Sequence, residues 1–85
     1  MVYRILYHED ARRELERLSR EAQRRIMKAV EERLSRSPEM YGKPLRFSLK
    51  GLWSLRTGDY RVIYQVEDEE VIIVRIGHRR EVYDG

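Results

Sequence analysis

The sequence predicts an α+β two-layer domain, with an N-terminal strand and a helical hairpin packed on an antiparallel β-meander. Three observations carry this prediction. Apolar residues alternate over 2–7. They recur at helical spacing between Ala11 and Leu34. Beyond Pro44 come four short β-rich segments separated by turn residues. The 85 residues read as one domain, 1–85. A chain this short buries only about 60–65% of its unfolded surface, so its core is small.

Residues 2–7 place Tyr3, Ile5 and Tyr7 on one face of a strand. Asp10 is of a type that caps helices and is expected to open a first helix carrying Ala11, Leu15 and Leu18. Ser19 is the expected cap of a second helix running to about residue 36, with the apolar stripe Ala22, Ile26, Ala29, Val30 and Leu34. Pro38 is expected to stop it, and 38–44 to form a loop. The β-rich segments are 45–49, 52–57, 60–66 and 71–77, separated by Gly51, by Gly58-Asp59 and by the acidic run 67–70. Short consecutive strands with tight turns make a meander. The run Val71–Ile76 is apolar at nearly every position, as expected of an interior strand.

Charged residues make up 39% of the chain and hydrophobic ones 41%, a balance that supports a folded domain. Eighteen Lys and Arg against 15 Asp and Glu leave a net charge of +3. All but Lys28, Lys43 and Lys50 of those bases are Arg, whose planar fork suits phosphate and carboxylate. Arg12, Arg13, Arg17, Arg20, Arg24 and Arg25 spread around the helical pair. They read most simply as a solvated face, and alternatively as a surface that touches RNA. The chain has no Cys, which excludes disulfide and thiolate chemistry. His8 and His78 alone cannot close a structural metal site, so no metal and no cofactor is expected. The longest apolar run is four residues, too short for a membrane span. The N-terminus lacks the features of a signal peptide, and the expected location is the cytoplasm.

The chemistry concentrates around the Gly58-Asp59 turn. Taken as a two-residue hairpin, it sets Thr57 opposite Tyr60, Arg56 opposite Arg61, Leu55 opposite Val62 and Ser54 opposite Ile63. Leu55, Tyr60, Val62 and Tyr64 then point toward the helices, while Arg56 and Arg61 stand side by side on the other face. Like charges directly opposite are destabilising, so the pair points to an anion. Segment 43–61 adds Lys43, Arg46 and Lys50 against one acid, Asp59. The competing reading is ordinary surface Arg, since a one-residue register slip would separate the two. At the C-terminal end His78, Arg79, Arg80 and Tyr83 cluster after Gly77. Such groups serve metal-free RNA cleavage, in which a base takes the 2′-hydroxyl proton, cations stabilise the phosphorane and an acid protonates the leaving oxygen. His78 and Tyr83 read equally well as a polar turn and a core-edge aromatic.

The order strand–helix–helix–strands, the stretch Leu55–Tyr64 and the ending Gly77–Tyr83 resemble the RelE family of the RelE/ParE superfamily of toxin–antitoxin toxins. The resemblance covers essentially the whole chain. It implies an mRNA interferase that cuts mRNA in the A site of the 70S ribosome, leaving a 2′,3′-cyclic phosphate. It also implies neutralisation by a small, acidic, helical antitoxin that wraps the toxin. Carried over by position, Arg61 would contact the scissile phosphate, Arg79 would support the transition state, Tyr83 would stack on the substrate base, and Arg56 is a neighbouring basic position. The best-known members carry two Lys where this chain has Leu52 and Ser54, one of them implicated in proton transfer. His78, Lys50 or Lys43 would then supply that chemistry. The expected site is therefore Arg61, Arg79, Tyr83 and His78 for catalysis, with Arg56, Lys50, Arg46, Lys43 and Arg80 on RNA. Two other readings stand beside it: a ParE-like DNA gyrase inhibitor, and a non-catalytic RNA- or protein-binding module.

Overall fold

The computed structural model describes residues 2–46, 50–78 and 80. Its elements are β1 (Arg4–Tyr7), α1 (Glu9–Glu16), α2 (Arg20–Ala29), a π-helical turn (Val30–Leu34), α3 (Pro38–Tyr41), β2 (Lys43–Pro44), β3 (Trp53–Thr57), β4 (Tyr60–Glu67) and β5 (Glu70–His78). The five strands form one sheet in the order β1-β5-β4-β3-β2. Strands β2 to β5 make the expected antiparallel meander. β1 adds to the edge of that meander, parallel to β5, with Ile5 beside Val71 and Tyr7 beside Ile73. Among the described residues no helix is long and apolar enough to cross a membrane.

The apolar periodicities explain the layers. Ala11 and Leu15 of α1, Ile26 and Ala29 of α2, and Val30 and Leu34 are buried in one cluster with Leu55, Val62, Tyr64, Val71, Ile73 and Ile76 of the sheet. Tyr3, Ile5, Tyr7, Leu18 and Tyr60 pack at its margin. Burying one such aliphatic side chain contributes about 1.5–3 kcal/mol, and this shared layer holds helices to sheet. β5 lies inside the sheet, as its apolar run anticipates.

Several local expectations are corrected. His8, not Asp10, caps α1: its Nδ1 accepts the Asp10 amide at 3.1 Å, and its own N–H is held by the Ile73 carbonyl at 2.8 Å. Asp10 sits in the first turn, where a carboxylate favours the positive helix end. Ser19 caps α2 as expected, through Oγ to the Ala22 amide. The helix loses α geometry after Ala29, and the Ser35 amide reaches back five residues to Val30. Pro38 opens α3 inside the segment expected to be a loop, because its fixed φ suits the first helical position and its missing N–H is not needed there. Pairing with β3 starts before the strand expected at 45–49, in the two-residue β2 at Lys43–Pro44, and the Leu45 amide then donates to the Leu52 carbonyl at 2.9 Å. Residues 47–49 lie outside the described part.

α3 is fastened to the sheet by Tyr64. The fully buried phenol donates to the Pro38 carbonyl. Burial first, and Glu39 second, push its pKa far above the usual tyrosine range. The chain passes so close that a β-carbon at Gly42 would stand 1.7 Å from the Tyr64 oxygen. Gly42→Ala is therefore expected to destabilise the protein by about 1–3 kcal/mol in denaturant titrations, as overpacking does. A raised phenol pKa favours folding while the group is protonated in both states. It is lost as pH climbs past about 10, where an unfolded tyrosine ionises, at about 1.4 kcal/mol per pH unit. Comparing the wild type with Tyr64→Phe by chemical denaturation above that pH should show the slope reduced in the variant.

Candidate anion-binding site

The β3–β4 hairpin has the register that its alternation predicts, with Thr57 beside Tyr60, Arg56 beside Arg61, Leu55 beside Val62 and Ser54 beside Ile63. Gly58 takes φ +60 at the turn, a value open to glycine, and a β-carbon there would meet the Arg25 guanidinium at 2.8 Å. Leu55 and Val62 are buried under the helices. Arg56 and Arg61 leave the sheet on the opposite face, Arg56 exposed and Arg61 half-buried.

On that face lies a concavity of about 500 Å³. Lys43 of β2, Arg46, Arg56 and Arg61 line it together with Tyr41 and Ser54, and among the described residues no carboxylate does. Three cations outside it are paired with carboxylates. Arg75 pairs with Glu14 at 3.0 Å, Arg13 with Glu9 at 2.6 Å, and Arg4 with Glu70. Four cations gathered in one hollow make it strongly positive and suited to a phosphate or a polyanion. A larger hollow, about 1160 Å³, lies at the β1 edge, but Asp68, Glu69 and Glu70 line it and its charge is wrong for an anion.

The other expected site residues divide. His78 does not join the cations. It stands beside Tyr60, ring centroids 6.0 Å apart and planes at 73°, on the face that carries the helices. Its Nδ1 accepts the Arg80 amide at 3.2 Å. The cause is a β-bulge. Ile73 and Ile76 are both buried, so the strict alternation of β5 is broken between them, and the register shifts opposite Ile63 and Tyr64. Glu14 holds the bulge, accepting the Ile76 amide at 2.9 Å along with Arg75 Nε. Without the shift, His78 would share the face of Arg61. Lys50 and Arg80 are exposed, and neither lines the concavity. Arg79 and Tyr83 lie outside the described residues. Tyr41 is a lining residue that sequence reasoning missed, because its segment carries no periodic signal and reads as loop. Among the described residues no group of three or more His, Cys, Asp or Glu is placed to hold a metal ion.

The family model described as the ParE toxin of type II toxin–antitoxin systems, parDE, matches residues 5–83. Toxin RelG of Mycobacterium tuberculosis is 42% identical, with 98% of each chain covered. Among solved structures, the toxin–antitoxin complex RelBE2 from Mycobacterium tuberculosis superposes with TM-score 0.86 at 37% identity, covering 93% of both chains. The intact E. coli RelBE toxin–antitoxin complex gives TM-score 0.73 at 29% identity, covering 89% of this chain and 95% of that one.

An anion held by this hollow should stabilise the fold. Inorganic phosphate at ten times its dissociation constant should add about 1.4 kcal/mol, read as a rise in melting temperature. Arg56→Ala should abolish most of that rise. An equal response in the variant would place the anion elsewhere.

Proposed function

The chain belongs to the RelE/ParE superfamily of type II toxin–antitoxin toxins, and from that premise we propose that it is a metal-independent, ribosome-dependent endoribonuclease that cleaves mRNA in the A site. The observation that carries this reading is the basic concavity around the opposed Arg56 and Arg61. In the reaction the 2′-oxygen attacks the adjacent phosphorus and the 5′-oxygen leaves, so that a 2′,3′-cyclic phosphate forms. Negative charge gathers on the phosphorane, and fixed cations at that point lower the barrier. Arg61 takes the scissile phosphate, with Arg56 beside it. Lys43 and Arg46 hold the neighbouring backbone, and Lys50 and Arg80 extend the basic track. The family resemblance adds Arg79 at the transition state and Tyr83 on the base.

The partner in this reading is a small, acidic, helical antitoxin in the cytoplasm, and 1–85 is one toxin domain. The curated and structural relatives named RelG and RelBE support it, and so does a basic face that an acidic segment complements. A ParE-like gyrase inhibitor is the second reading. It is favoured by the family-model match and by Leu52 and Ser54 standing where other members carry Lys.

Primer extension on mRNA translated with the purified protein separates them. New 5′ ends at codon boundaries support the nuclease, and gyrase inhibition without cleavage supports the alternative. Arg61→Ala should keep the fold, as its side chain lies outside the apolar cluster, and should slow cleavage by about 10²-fold or more. Undiminished cleavage by a folded Arg61→Ala protein would remove Arg61 from the site.

A further inference from the structure

The four cations of the concavity are not equivalent as acids. A guanidinium keeps its protons throughout the working range of a protein, whereas an ammonium can release one and regain it. Among Lys43, Arg46, Arg56 and Arg61, only Lys43 can therefore carry a proton as well as a charge. Tyr41, also in the lining, can release a proton but brings no positive charge to a phosphorane.

The position of Lys43 suits this. β2 pairs with β3 so that Lys43 lies directly opposite Ser54, which puts their β-carbons about 5 Å apart on one face. Arg56 is the next residue of β3 on that face, with Arg61 across from it. Ser54 is 8% exposed, and its hydroxyl has no hydrogen-bond partner among the described residues. A short side chain with an unsatisfied oxygen thus floors the hollow beside the one flexible ammonium. His78 is on the opposite face, and Lys50 does not line the hollow.

We infer that Lys43 is the catalytic acid of this site, delivering its proton to the departing 5′-oxygen, with Ser54 Oγ accepting a second ammonium N–H to hold it in place. The inference rests on the nuclease reading above. In the step, the 2′-oxygen forms a bond to phosphorus and its proton passes to solvent water. The bond from phosphorus to the 5′-oxygen breaks, and that oxygen takes a proton from Lys43 Nζ. The products are a 2′,3′-cyclic phosphate and a 5′-hydroxyl, and the amine is reprotonated by water. Arg56 and Arg61 stay charged throughout and stabilise the phosphorane.

The test uses single-turnover cleavage on programmed ribosomes with two messages that differ in one atom. In one, the bridging 5′-oxygen of the scissile linkage is replaced by sulfur, which leaves as a thiolate and needs no acid. Lys43→Met and Lys43→Arg should each slow the oxygen linkage by about 10²-fold or more, the scale of general acid catalysis. At saturating protein, where a lost backbone contact no longer limits the rate, both should cleave the sulfur linkage close to the wild-type rate, while Arg61→Ala slows both linkages. Wild-type cleavage of the oxygen linkage by Lys43→Arg would overturn the assignment, because charge alone would then suffice. Equal slowing of both linkages by Lys43→Met would overturn it as well. Either result leaves the nuclease reading intact. A wild-type protein that cleaves neither message would instead remove that reading, and Lys43 with it.

Discussion

Pairing Leu55 with Val62 under the helices is what places Arg56 beside Arg61 on the other side. Side chains alternate along a strand, so the buried set and the charged set share one register and cannot be adjusted separately. Gly58 holds that register at the turn, and the rest of the site is arranged around it. β2 adds Lys43 at the edge of the same face, and Arg46 follows it. A slip of one residue in β4 would drive the Arg61 guanidinium into the apolar layer and expose Val62. The fold therefore protects the cation pair as strongly as it protects its own core.

The arrangement has a cost that magnitudes put in proportion. Opposed like charges on a sheet destabilise by about 0.2–1 kcal/mol, while each buried aliphatic side chain contributes about 1.5–3 kcal/mol. The core can carry the repulsion, so the cation pair is compatible with a stable protein before any anion arrives. The wall of the hollow is also prearranged. Tyr41 and Lys43 flank Gly42, whose backbone is pressed against the Tyr64 ring, and Tyr64 in turn donates to Pro38. Little ordering is then left for a ligand to impose.

Much of this was legible in the sequence where the signal is local and repetitive. The helical stripe from Ala22 to Leu34, the Ser19 cap and the whole β3–β4 register follow from spacing alone. What was not legible depends on distant partners or on very short elements. The parallel pairing of β1 with β5 joins residues more than sixty positions apart. Helix α3 has four residues and β2 has two, too few to show a period. His8 acts as a cap because its strand ends there, although its residue type does not announce that role. In the site, the Arg pair was visible from the hairpin, but the company it keeps was not. Tyr41 enters from α3, and His78 is withdrawn by an extra residue in β5.

That extra residue works as a phase shift. Up to Ile73, odd-numbered positions of β5 look toward the helices; from Ile76 onward the even-numbered ones do. Glu14, on a different element, secures the change by capturing the amide that the bulge releases. The side chains at the end of β5 are thus assigned to a face by a count of residues rather than by their chemistry. Were the bulge to flatten with every residue kept, the imidazole would cross to the Arg61 side, whereas deletion of the one extra residue would leave it beside Tyr60. In a fold this small, whether one strand bulges or runs flat decides which groups reach a charged surface, a control that substitution at those positions does not offer.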